Sequence, residues 1–237
     1  MKTTHKVIAS LVTLLAACLL SAADSKPIAR VIGILDIETD DPAGYATWIK
    51  EYNDIAKAKL GLDPYLRVYE SVFDGRASGR VRVVASAGSV AELSKNAAAL
   101  EGDPAIARTL THVRGIRKTG ARVLHQAVYF DGVSAKGACN YNTLAVVNDE
   151  AAYLQAITRL RTIFDAIGLK DAKIAVYRVL AGRLDHTHRI TISAPSSERL
   201  AAFLDLMASS SQLQQWLASS APLRTVISNT TSREITK

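Results

Sequence analysis

The sequence predicts an α+β fold in which one small unit, ordered β-α-β-β-α-β, occurs twice. Three observations carry this. Residues 61–117 line up without a gap on 168–224 at a constant offset of 107, with identical pairs such as Val72/Val179, Gly75/Gly182, Arg76/Arg183, Arg82/Arg189 and Arg117/Arg224. The first helix of each copy repeats its apolar positions at an offset of 108, so the second copy reads one residue shorter before Gly168. Strand, turn and helix signals also recur in the same order.

In the first copy, residues 30–37 form a strand, with Val31, Ile32, Ile34, Leu35 and Ile37 as its buried pattern. Asp40-Asp41-Pro42 opens a helix, because an acidic cap accepts free backbone N–H groups and Pro at the first position has none to lose. Tyr45, Trp48, Ile49, Tyr52 and Ile55 share one helical face, and Gly61 closes the helix. Residues 67–73 and 80–86 make a hairpin around Asp74-Gly75. Ser89 and Glu92 form a capping box for a second helix, which breaks at Gly102-Asp103-Pro104 and resumes through Ile106 and Leu110. Residues 121–129 supply the fourth strand.

The second copy follows the same plan. A strand at 141–147 leads through Asn148-Asp149 into a helix carrying Tyr153, Ala156, Ile157, Leu160 and Phe164. Strands at 173–180 and 188–193 flank Gly182, a helical region carries Leu200, Phe203, Leu213 and Trp216, and the last strand is 224–229. The expected units are 29–130 and 140–232, joined by a linker at 131–139. The order is that of the ferredoxin-like split βαβ motif.

Two such units of about 100 residues, each with an aromatic first helix and a short hairpin, resemble the dimeric α+β barrel superfamily and its antibiotic-biosynthesis-monooxygenase-like members. Those proteins pair two subunits sheet to sheet. The resemblance therefore implies a pseudo-dimeric barrel within one chain, the two copies serving as each other's partner. It lies in element order and brings no catalytic motif, so catalytic residues stay unassigned. It implies a small-molecule ligand and two functional readings: a cofactor-independent, monooxygenase-like enzyme on an aromatic or anionic substrate, or a non-catalytic periplasmic binding protein. No cofactor is expected; the alternative is haem, with His125 or His188 as its axial ligand.

Candidate binding residues fall into two sets. Arg82 and Arg189 occupy equivalent places on the polar face of the third strand of each copy, where two guanidiniums could grip a carboxylate or phosphate. A solvated face or an interfacial salt bridge is the plainer account. Tyr45, Trp48, Tyr52 and Tyr69 are expected to line a pocket between the first helix and the sheet, with Arg82 orienting the substrate; core packing is the alternative. Ala156 stands where Trp48 does, so the two cavities differ and the first copy is the expected site. His186-Thr187-His188 has the two-residue spacing of some metal ligands but lacks an evident third, so no metal is expected. Gly-x-Ser-x-Gly, His-Glu-x-x-His, P-loop and dinucleotide motifs are absent from the sequence.

Residues 1–23 read as a secretory signal peptide, with Lys2, His5 and Lys6 before an apolar run and Ser21-Ala22-Ala23 at the cleavage site. Leu15-Ala16-Ala17-Cys18 keeps a second route open, lipidation at Cys18. Either route exports the chain, with the bacterial periplasm as the expected place, and confines membrane contact to the signal peptide or a lipid anchor. The whole chain carries a net charge of +7. Loss of Lys2 and Lys6 leaves 27 basic against 22 acidic residues. That charge is scattered, with no basic run interleaved with aromatics, so nucleic acid is not expected as a partner. Without Cys18, Cys139 is the sole cysteine and no internal disulfide can form.

Overall fold

The computed structural model describes residues 30–73, 80–113, 117–182 and 185–236, leaving aside the side chain of His112. The signal segment with Cys18, the hairpin turn at 74–75, and Arg76 and Arg183 lie outside the described residues. Strand β1 (Val31–Glu38) leads into helix α1 (Pro42–Leu60), strands β2 (Leu66–Phe73) and β3 (Arg80–Ala87), helices α2 (Val90–Glu101) and α3 (Pro104–Val113), and β4 (Lys118–Phe130). The same order returns as β5 (Cys139–Val147), α4 (Glu150–Ala166), β6 (Lys173–Ala181), β7 (His188–Ala194), α5 (Ser197–Ser209), α6 (Ser211–Ser220) and β8 (Arg224–Glu234). The fold is mixed α+β: the eight strands close one antiparallel barrel in the order β1-β3-β2-β8-β5-β7-β6-β4. Among the described residues no helix is long and apolar enough to cross a membrane.

The helix ends follow local chemistry. Asp41 accepts the Gly44 N–H at 2.8 Å and Asp149 accepts that of Ala152 at 2.9 Å. Gly61 ends α1 in the left-handed conformation, at φ 70°, which only glycine adopts without strain. Ser89 accepts the Glu92 N–H as a capping box requires, but Glu92 returns its bond to the N–H of Gly88 and not of Ser89. Asp103, at the break between α2 and α3, caps the second of these by accepting from Ala105.

Strand lengths differ from expectation where the two halves join. β8 runs on to Glu234, because Thr231–Glu234 pair with β2 on one side while Thr231–Arg233 pair with β5 on the other. Cys139, expected in the linker, is the buried first residue of β5. The cross-strand registers also correct the alignment of the halves. Tyr69 lies opposite Arg82 and Arg82 opposite Asp36; Tyr177 lies opposite Arg189 and Arg189 opposite Leu144. Tyr69 and Tyr177 are thus equivalents at an offset of 108, so the ungapped run breaks at β2 and Val72 does not correspond to Val179.

Alternation along each strand divides its side chains between the helix layer and the barrel interior. Val81 and Val83 pack under the first-half helices, and Ile190 and Ile192 under the second. Their neighbours Arg82, Val84, Arg189 and Thr191 line the interior. Helix-side packing is unequal. Tyr153, Phe164, Phe203, Leu213 and Trp216 belong to one continuous core in the second half. The buried side chains of the first half fall into three smaller groups, centred on Tyr45 with Trp48, on Leu93, and on Tyr65 with Leu100.

Candidate functional site

A cavity of about 210 Å³ separates the first-half helices from the outer face of their strands. An apolar cavity of about 150 Å³ already takes benzene, so this one has room for a larger aromatic molecule. Helix α1 turns Tyr45, Trp48 and Tyr52 toward it, and α2 adds Leu93 and Ala97. The rings run in series: Tyr45 to Trp48 at 5.3 Å, Trp48 to Tyr52 at 5.9 Å, and Tyr52 stacked on Tyr65 at 6.3 Å. Helical spacing puts these residues on one face, and the aromatic stripe is therefore both core and wall.

The space exists because the sheet and helices carry small residues here. Gly33 pairs with Ala85 across β1 and β3, whereas the matching rung of β5 and β7 is Tyr141 with Ile192. On the helices, Ala97 lines the cavity where the aligned residue of the second half is Leu204. Gly33 is not demanded by its backbone, since an added Cβ would meet only Leu93 Cδ2 at 3.5 Å. Its smallness leaves volume.

Polar chemistry in the cavity is sparse. Tyr45 is 1% exposed; burial raises its hydroxyl pKa, while the charge and hydrogen bond of Arg117 oppose that rise. The Arg117 guanidinium lies 5.6 Å from the centre of the Trp48 ring, within cation–π range. Burial pushes the Tyr65 hydroxyl up to about 12 and that of Tyr52 higher still, so both act as neutral donors. Among the described residues the buried Trp48 Nε1–H has no hydrogen-bond partner. In the filled half, Trp216 donates its indole N–H to the Ala156 carbonyl at 2.7 Å. Among the described lining residues Glu101 is the one carboxylate, and none is His, Ser or Cys. A nucleophile–base pair of the hydrolase kind is therefore missing from these walls.

The candidate residues do not form one site. Tyr45 and Trp48 line this cavity, but Tyr69, Arg82 and Arg189 line a second one, of about 280 Å³, inside the barrel. Tyr69 was expected beside Trp48; its neighbour Val68 takes the helix side, fully buried, so Tyr69 must face inward. Arg82 cannot orient a ligand beside Trp48 for the same reason, and Arg117 is the guanidinium that lies beside Trp48 instead. Arg82 instead donates to Asp36 at 2.9 Å, and Arg189 donates to Asn142 at 2.8 Å. Sequence reading passed over Arg117 although it aligns with Arg224, which hydrogen-bonds Tyr153 and lies 5.0 Å from the Trp216 ring centre.

Neither histidine considered for haem lines the helix-side cavity. His125, on β4 and 2% exposed, contacts Tyr177 at 6.4 Å between ring centres, and both its ring nitrogens lack partners among the described residues. Burial and then the charge of Arg189 push its pKa down to about 3. His188 shares a hydrogen bond of 2.8 Å with Glu150, and His186 one of 3.1 Å with Asp185. His125 and His188 therefore do not fit an axial ligand for a haem seated in the helix-side cavity. Among the described residues no group of three or more His, Cys, Asp or Glu side chains could hold a metal ion.

No family model matches the chain, and no curated protein matches it. Solved structures do share its fold. Two are described as putative monooxygenases. The one from Lactobacillus acidophilus NCFM has a TM-score of 0.58 and 10% identity, over 87% of this chain and 93% of that one. The other, from Fusobacterium nucleatum subsp. nucleatum ATCC 25586, has a TM-score of 0.56 and 7% identity, over 87% and 91%. A mutant chlorite dismutase from Candidatus Nitrospira defluvii gives a TM-score of 0.52 and 10% identity, over 89% and 92%. At such identities the likeness is one of fold. It places this chain's architecture with the dimeric α+β barrels its element order resembles.

Proposed function

We propose that the protein binds an aromatic small molecule bearing a phenolic or keto oxygen in the helix-side cavity of its first half. The observation that carries this reading is the local hollowing: the Gly33/Ala85 rung opens a space that Tyr141 and Ile192 fill in the other half. The oxygen of such a ligand is suited to the Tyr45–Arg117 pair, and Trp48 Nε1–H offers a further donor. Arg117 stabilises a phenolate or enolate there by charge.

The fold likeness to proteins described as monooxygenases favours a cofactor-independent oxygenation of this ligand. In balance, an activated CH2 group and O2 give a carbonyl and water: both C–H bonds break, one oxygen atom stays on carbon, and the other leaves as water with both protons. The substrate supplies the electrons. A non-catalytic binding protein is the second reading, favoured by the shortage of acid–base groups among the described lining residues.

Titration with 1-naphthol, read by Trp fluorescence, should saturate. An oxygen electrode then separates the readings, since substrate-dependent O2 uptake marks the enzyme and binding without uptake marks the carrier. Failure of 1-naphthol and larger hydroxyarenes to bind removes both.

We also read the two halves as descendants of one duplicated unit, comprising residues 29–130 and 140–232, with the protein exported to the periplasm. Cell fractionation with N-terminal sequencing tests the export, and distinguishes cleavage after residue 23 from lipidation at Cys18.

A further inference from the structure

The barrel interior holds a second constellation on the opposite face of the sheet. Two rungs of side chains meet there: Asp36, Arg82 and Tyr69 from one half, and Leu144, Arg189 and Tyr177 from the other. Their electrostatic contacts cross the lumen, Arg82 acting on Arg189 and Tyr69 on Tyr177. The two rungs differ in one charge. Arg82 has Asp36 directly opposite and bonds to it, whereas Arg189 has the apolar Leu144 opposite and bonds to the neutral amide of Asn142.

Arg189 is 7% exposed, so its charge sits in the interior without a bonded carboxylate among the described residues. Each acid nearby already serves another cation: Asp36 serves Arg82, Glu234 serves Arg67 at 3.5 Å, and Asp63 serves Lys57 at 2.7 Å. Burial, then repulsion from Arg82, pushes the Arg189 guanidinium down to about 9, which still leaves it charged at neutral pH. A buried cation in this position is expensive unless an anion meets it.

The surrounding space supplies what such an anion needs. The cavity of about 280 Å³ is walled by Arg189, Arg82, Tyr69, Tyr177, Thr191 and Ser193, among others. Arg30 and Lys173 line it too and add positive charge. Burial raises the Tyr69 and Tyr177 hydroxyls, so both remain protonated donors. Asp36 also acts on Arg189, but it is bonded to Arg82, so two guanidiniums share one carboxylate; the planar fork of Arg189 matches a further carboxylate. Hydroxyl-bearing walls favour a small, polar acid over an apolar one.

We propose that the barrel interior is a second binding site, for a small polar carboxylate, with Arg189 as its cationic anchor. It is independent of the aromatic site, since the two cavities lie on opposite faces of the sheet.

The test uses the full protein in a low-chloride buffer, titrated calorimetrically with acetate and glycolate, with inorganic phosphate and chloride as comparison arms. Saturable carboxylate binding with a Kd of about 1 mM or tighter is expected, with glycolate ahead of acetate. Leu144→Asp installs opposite Arg189 the carboxylate that Asp36 gives Arg82, and should weaken glycolate binding about tenfold or more with a cooperative melt retained. Arg189→Gln should do the same, and carries the test if Leu144→Asp does not fold. No saturable carboxylate binding by the unaltered protein, stronger binding of phosphate, or glycolate binding unchanged in the variants would each overturn the proposal.

Discussion

Each half of the barrel places a tyrosine–arginine pair under its helices, yet one pair borders a cavity and the other is packed among aromatic rings. Arg117 with Tyr45 faces space left by Gly33, Ala85 and Ala97. Arg224 with Tyr153 is roofed by Trp216, and Tyr141, Phe164 and Phe203 pack edge to face beside it. The same scaffold thus separates two tasks that compete within a single core. Aromatic filling in the second half stabilises the barrel, and small residues in the first leave room for a guest.

Breaking the filled half should have the largest effect. Trp216→Ala removes a side chain only 7% exposed together with its bond to Ala156, and should cost about 3–5 kcal/mol in urea unfolding. Trp48→Ala should cost less than half of that, because Trp48 borders existing space and its Nε1–H is already unpaired. Equal losses would mean that the two halves are packed alike.

A second contrast concerns acid. His125 occupies the position that Ser232 holds in the other half, where Ser232 accepts a hydrogen bond from Asn142 at 3.2 Å. The folded-state pKa of His125, about 3, lies below its unfolded value near 6.5. The unfolded chain therefore binds the extra proton between these values, and stability falls as pH drops through that window. Between pH 7 and pH 5 the loss should be about 2 kcal/mol. His125→Ser should remove that part of the slope, as read by urea unfolding at several pH values.

Smaller changes sharpen the comparison. Ala85→Ile brings in the residue of the filled half, so 1-naphthol binding should fall about tenfold while stability stays within about 1 kcal/mol. Undiminished binding would place the guest elsewhere. Gly33→Ala should add about 0.4–1 kcal/mol, because its Cβ meets one atom at an ordinary distance and its φ is not positive. Thermal unfolding suffices to read it.

Much of the architecture was legible in the sequence. The cap at Asp41, the stop at Gly61, the break at Asp103-Pro104 and the inward alternation of Arg82 and Arg189 are all local signals, and all stand in the structure. What escaped depends on lateral register. Nothing local says that Tyr69 lies opposite Arg82, or that Asp36 and Leu144 are the differing partners of two equivalent arginines. A pocket beside the first helix was expected from its aromatic face, but the cause of the space was not, because it is written in positions where the halves disagree, such as Gly33 with Tyr141 and Ala85 with Ile192. Arg117 was visible as an identity, but its partnership with Tyr45 needed the fold.

Closure of the barrel falls to the final strand, since Tyr69 of β2 pairs with Glu234 while β8 also pairs with β5. The first half can therefore be sealed only after β8 has taken its place between β2 and β5. Until then β2 presents unpaired N–H and C=O groups to any neighbouring nascent chain. Loss of Thr231–Glu234 would leave that seam open, and the bare edge of β2 would be a template for aggregation.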